Sequence, residues 1–153
     1  MDANTFQRET LKIERLLYHV AYTSLGSTHD CADAVQEALL RAWKKRHMLR
    51  SLDSFKPWLV HILLNTITDM QRKQRPAPLL EEKAVPPPGI ENTALHEALL
   101  ALPQDMRCTV VLYYLDGCSM RECARMLRIS EGMVKSRLSR ARVQLRNFLA
   151  EED

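Results

Sequence analysis

The sequence predicts an all-α protein built as two small helical domains joined by a proline-rich linker. Three observations carry that expectation. Apolar residues recur at spacings of three and four on both sides of the middle of the chain, no alternating strand pattern of useful length occurs, and residues 76–90, PAPLLEEKAVPPPGI, gather five prolines and a glycine. Proline has no backbone N–H and cannot continue a helix, so this stretch is expected to be an extended, semi-rigid spacer. The expected organisation is a first domain over residues 1–75, a linker over 76–93 and a second domain over 94–153. With 153 residues, 46% of them hydrophobic and 27% charged, each domain can bury only a modest core.

In the first domain a helix is expected from about Thr5 to Tyr22, ending near Gly26. A second should run from about Asp30 to Arg46. Its Val35, Ala38, Leu39 and Ala42 share one face, and Asp33, Gln36, Glu37, Leu40, Arg41 and Lys44 share the opposite one. Leu40 thus sits among charges, either as a stray exposed leucine or as the apolar centre of a protein-binding face with a charged rim. A third helix opens at DSFKPW, where Asp53 or Ser54 can cap it and Pro57 falls harmlessly in the first turn. Phe55, Trp58, Leu59, Ile62, Leu63, Thr66 and Met70 form its expected buried stripe. On another face His61, Asn65, Thr68 and Arg72 line up, followed by Lys73 and Arg75. Such a row suits phosphates and bases, and equally describes a solvated polar face.

The second domain starts near Leu95, with helices broken at Leu102-Pro103 and a turn at Asp116-Gly117. Ser119 should cap a short helix, with Glu122 three residues on completing a capping box. After a tight turn at residues 128–130 a long helix begins near Glu131, and short helix, turn, long helix describes a helix-turn-helix. The turn residue, Arg128, is where such motifs commonly place glycine, because a left-handed backbone costs another residue about 1–2 kcal/mol.

On the long helix Val134, Leu138, Ala141, Leu145 and Leu149 form one stripe that should pack on the domain core. Lys135, Arg142 and Arg146 border it, while Ser136, Ser139 and Arg140 face outward. From Gly132 through Ala150 no acid balances these cations, as a merely solvated face normally would. Small hydroxyls between cations let a helix approach a DNA groove closely, with Lys and Arg available for phosphates or guanine edges. Gly132, at the helix start, leaves room for a phosphate at the positive end of the dipole.

The formal net charge of +3 does not by itself demand a nucleic-acid partner, but its distribution is uneven. Residues 1–75 carry 12 Lys and Arg against 8 Asp and Glu, residues 76–97 carry 1 against 4, and residues 98–153 carry 9 against 7. No apolar run is long enough to cross a bilayer, and the start lacks the layout of a secretory signal, so a cytoplasmic protein without membrane insertion is expected. Cys31, Cys108, Cys118 and Cys123 match no zinc spacing and are expected to be free thiols. A metal or redox role for His29, Cys31 and His61 stands as the weaker alternative. No phosphate loop, catalytic triad or carboxylate pair stands out, so neither an enzyme nor a cofactor is expected.

The segments DCADAVQEALLRAW, FKPWLVHILLNTITDMQRKQR, ALPQDMRCTVVLYYLDGCSMRECARML and ISEGMVKSRLSRARVQLR together resemble a bacterial RNA polymerase sigma factor of the extracytoplasmic-function, or group 4, type. The resemblance covers region 2 over about Phe6 to Arg75 and region 4 over about Ala94 to Phe148, and leaves no room for a complete region 3 or the N-terminal extension of housekeeping sigma factors. It implies an alternative sigma factor that binds core polymerase and directs initiation at minus-10 and minus-35 elements. By the same resemblance, Asp33, Gln36, Glu37, Leu40 and Arg41 would dock on the clamp of the largest polymerase subunit. The loop from Arg46 to Ser54, with Arg50 and Ser51, would capture a flipped minus-10 base, and His61, Asn65 and Arg72 would follow the strand. Lys135, Ser136, Ser139 and Arg140 would read the minus-35 duplex, which Arg142 would also meet, with Arg137 and Arg142 serving phosphates or packing. An anti-sigma factor is an implied partner, which could hold the protein at the membrane. The sequence departs from the family at LRSLDS, where many relatives have a glycine and an acid, and at Leu64, where an arginine is frequent. The rival expectation is a stand-alone helix-turn-helix regulator, thiol- or metal-responsive.

Overall fold

The structure, a computed structural model, describes residues 1–73 and 93–151. The expected linker lies outside the described residues, as does Arg75. Every regular element described is helical, and the chain divides into two compact units, with the division between Val85 and Pro86.

The first unit has four helices: α1 (Ala3–Lys12), α2 (Glu14–Tyr22), α3 (Thr28–Lys44) and α4 (Phe55–Lys73). Asp2 caps α1 by accepting the Thr5 N–H at 2.8 Å, and Ser27 caps α3 by accepting the Asp30 N–H at 2.9 Å. The single N-terminal helix expected over Thr5–Tyr22 is in fact two, broken at Ile13, whose N–H turns back to the Thr10 carbonyl at 3.1 Å. The physical reason is a change of burial. No residue of α1 is fully buried, whereas Leu16, Leu17, His19, Val20, Ala21 and Tyr22 of α2 all are. One straight helix could not lay α2 in the core and also bring Phe6 edge-on against Trp43 and Phe55, with ring centroids at 5.3 Å and 5.8 Å.

Helix α4 packs on both α2 and α3, closing a core of Leu17, Val20, Ala34, Val35, Ala38, Ala42, Phe55, Leu59, Leu63 and Ile67. Its buried face differs from the expected stripe. Val60 and Ile67 are buried, while Trp58, Ile62 and Met70 are only half-buried, because the positions of α2 and α3 rotate the buried arc around the helix without widening it. Between α3 and α4 the expected loop contains two short 3₁₀ turns, Arg46–Met48 and Leu52–Ser54.

The second unit comprises α5 (Thr93–Ala101), α6 (Gln104–Val110), α7 (Met120–Leu127) and α8 (Glu131–Glu151). Pro103 separates α5 from α6 as expected, and Gly117 takes its turn at φ +69. An unforeseen π-helical turn over Val111–Leu115 follows α6, closed by the Asp116 N–H on the Val111 carbonyl at 3.1 Å. The capping box is complete: the Glu122 N–H donates to the Ser119 hydroxyl at 3.0 Å and the Ser119 N–H to the Glu122 carboxylate at 3.1 Å. Val134, Leu138 and Ala141 of α8 are fully buried against the shorter helices. The expected stripe fails beyond them. Leu145 is half-buried and Leu149 exposed, because α8 outruns the short helices it packs on. All four cysteines are free and buried.

Candidate nucleic-acid and protein interfaces

On α3, Asp33, Gln36, Glu37 and Leu40 lie together on the outer face, with Leu40 58% exposed. An open groove of about 550 Å³ begins beside them, lined by Ala3, Phe6, Gln36, Leu39, Leu40 and Trp43. Leu39, expected inside, is half-buried in that groove instead, alongside Ala3 and Phe6 of α1. The outer face therefore carries apolar surface edged by charge.

Arg41 shares that face but turns toward α4. Its Nη1 donates to Asp69 at 2.8 Å and its Nε to Glu37 at 3.2 Å. The hydrogen bond from Arg41 holds the Asp69 carboxyl below the usual carboxylate range, and the same bond raises the Arg41 guanidinium. Nothing in the sequence pairs residues 28 positions apart, although a lone acid in the cation-rich end of α4 is itself a sign that a partner is needed.

Along α4, Asn65, Thr68 and Arg72 are exposed and His61 half-exposed on one face, as expected. Asn65 and His61 touch through their side-chain nitrogens at 3.2 Å, and the Thr68 hydroxyl donates to the Leu64 carbonyl at 3.0 Å. Arg50 and Ser51 are exposed between the two 3₁₀ turns, and the Ser51 hydroxyl caps the second by accepting the Asp53 N–H at 3.2 Å. Arg46 is committed locally, stacked 3.7 Å from the Trp43 ring centroid and donating to the Trp43 carbonyl at 2.7 Å. Two exposed apolar side chains that sequence reasoning missed, Met48 and Leu52, flank the Arg50–Ser51 pair.

The weaker metal reading loses its geometry. Cys31 is buried with its thiol toward the Leu25 carbonyl at 3.9 Å, while the exposed His29 ring faces Asp33 at 3.3 Å. Among the described residues no group of three or more His, Cys, Asp or Glu is gathered to hold a metal ion.

On α8, Lys135, Ser136, Ser139, Arg140 and Arg142 are all exposed, Lys135 and Arg142 beside and the others away from the buried Val134, Leu138 and Ala141. Ser130 caps the helix by accepting the Met133 N–H at 3.0 Å, and a Cβ at Gly132 would meet only the Ser130 hydroxyl, at 3.8 Å. The two arginines of this surface differ. Arg140 has no hydrogen bond or ion pair among the described residues, whereas Arg142 donates to the Tyr114 hydroxyl at 2.8 Å and to Ser139 at 3.2 Å. Arg137 is mostly buried with its Nε 3.8 Å from Asp105, so it packs between α8 and α6. Met133 and Val143, exposed beside the polar arc, were not singled out from sequence.

Residues 11–77 match the family model of sigma-70 region 2, and residues 92–145 that of sigma-70 region 4. The chain is 31% identical to the ECF RNA polymerase sigma factor SigM of Mycobacterium tuberculosis, over 97% of this chain and 79% of that protein. It is 37% identical to the probable RNA polymerase sigma factor RfaY of Xanthomonas campestris pv. campestris over 85% of this chain, but spans only 37% of that protein. Among solved structures, RpoE of Bartonella quintana, bound to its anti-sigma factor NepR, shares the fold with a TM-score of 0.77 and 24% identity over 97% of this chain and 98% of that one. Both expected regions are thus matched in the expected order, and the chain belongs to the ECF family of RNA polymerase sigma factors.

Proposed function

We propose that this chain directs promoter-specific initiation by recruitment rather than catalysis, with each unit making a separate contact. Asp33, Gln36 and Glu37 around Leu40 dock on the clamp of the largest subunit of core RNA polymerase, with Arg41 at the edge of that face. Arg50 and Ser51 receive an unstacked minus-10 base, and His61, Asn65 and Arg72 follow the unpaired strand. Extruding a base costs a few kcal/mol, so capture has to be coupled to polymerase docking and phosphate contacts. Lys135, Ser136, Ser139 and Arg140 read the minus-35 duplex. Arg142, held by Tyr114 and Ser139, offers a fixed cation to the backbone beside them.

Residues 1–75 and 94–153 act as the two modules, and residues 76–93 set their spacing. An anti-sigma factor is the expected repressing partner, and the cytoplasm the place of action. No helix among the described residues is long and apolar enough to cross a membrane.

The observation that carries the reading is the α8 surface, with no acid from Gly132 to Ala150, presented outward by a fully buried Val134, Leu138 and Ala141. Run-off transcription with purified core polymerase and a promoter library tests it. Transcripts should share a minus-35 and a minus-10 motif that core polymerase alone does not select. Tight, sequence-specific duplex binding by the chain alone, with no change in initiation, would instead identify a stand-alone regulator.

A further inference from the structure

We infer that Arg41 is a positioning residue: by engaging Asp69, it keeps Arg72 and Lys73 available for the phosphates of the promoter strand. This rests on the reading of α4 as the strand-binding helix.

Asp69 is the only acid on α4. It stands four residues after Asn65, three before Arg72 and four before Lys73, spacings at which helical side chains meet. Left to itself, that carboxylate would repel the strand and draw both cations into pairs along the helix. Arg41 prevents this from the neighbouring helix through its 2.8 Å bond to Asp69. Among the described residues neither Arg72 nor Lys73 makes a direct hydrogen bond or close ion pair; both act on the Asp69 carboxylate only through space, more weakly than the Arg41 hydrogen bond, and both are exposed. The Arg41 and Asp69 side chains are 31% and 42% exposed, so the pair adds little as a staple. The seam between α3 and α4 is already closed by Ala34, Ala38, Leu59 and Leu63. The Glu37 contact anchors the other edge of the guanidinium, which fixes its direction toward Asp69.

The test uses holoenzymes assembled at saturating core polymerase, which removes docking from the measurement, and a labelled single-stranded minus-10 oligonucleotide titrated over a range of salt. Arg41→Gln should weaken strand binding about three- to tenfold and lower the log–log salt slope by about 0.7 to 1.4, the equivalent of one or two phosphate contacts. Asp69→Asn should bind at least as tightly as the wild type. The double variant should recover wild-type affinity and slope, a rescue that a lost structural contact would not give. Wild-type behaviour of Arg41→Gln, a double variant no better than Arg41→Gln, or an equal loss in Asp69→Asn would each overturn the inference. A wild-type holoenzyme that binds the strand no better than core polymerase would remove the strand-binding reading itself, a distinct result.

Discussion

Arg128 adopts φ 55 and ψ 47, the one non-glycine residue with positive φ among those described. The helix-turn-helix nevertheless forms, because the turn after α7 is held by the Arg128 and Ile129 N–H groups, both on the Ala124 carbonyl. The side chain thus bears a backbone cost that the neighbouring bonds offset. Arg128→Gly should stabilise the second unit by about 0.5–1 kcal/mol, less than the full left-handed penalty because glycine also gains freedom in the unfolded chain. Chemical denaturation checks this, and a loss of stability would show that the Arg128 side chain makes a compensating contact. A different residue-scale effect concerns Cys31. Burial first, then the adjacent Asp30, pushes its thiol up to about 11, so the folded chain holds that proton more tightly than the unfolded one. The resulting stability is present below the ordinary thiol value of 9.0 and is lost as pH rises from there toward about 11. Wild-type protein should therefore lose more stability than Cys31→Ala across that window in denaturation melts; parallel curves would contradict it.

At the scale of elements, what was legible in the sequence was whatever local chemistry decides. The capping box at Ser119, the stop at Pro103 and the left-handed need at Arg128 all involve residues within a few positions of one another. The break at Ile13 was not legible, since no glycine or proline marks it and its cause is the docking of Phe6 on rings from two other helices. The same holds for the rotated face of α4 and the emergence of Leu149, which depend on the lengths and placement of neighbouring helices. For the candidate site, outward faces followed from periodicity, whereas engagement within the chain did not. Arg140 was expected to face outward and Arg142 to serve phosphates or packing, but the residue that holds Arg142, Tyr114, is 28 positions away and could not be read from the helix. A difference in behaviour follows. Arg140→Ala should reduce binding to cognate minus-35 duplex by about 1–3 kcal/mol and leave mismatched duplex nearly unaffected. Equal losses on both sequences in salt-matched titrations would make Arg140 a phosphate contact only.

For the whole molecule, composition alone separates the two modules, because five prolines in residues 76–90 interrupt two helical periodicities. In the proposed function each module binds its own stretch of promoter. What the function asks of the linker is concentration. A short tether holds the second module near its target at roughly millimolar effective concentration once the first has docked, so a weak minus-35 contact suffices. Separating the modules at a protease site placed within residues 76–90 should therefore abolish selective initiation at nanomolar protein, although both halves stay folded. Activity should return only as the second half is supplied toward about millimolar concentration. If the cleaved protein initiates at the same promoters as the intact chain at nanomolar levels, each module must bind polymerase tightly by itself, and the linker sets neither spacing nor affinity.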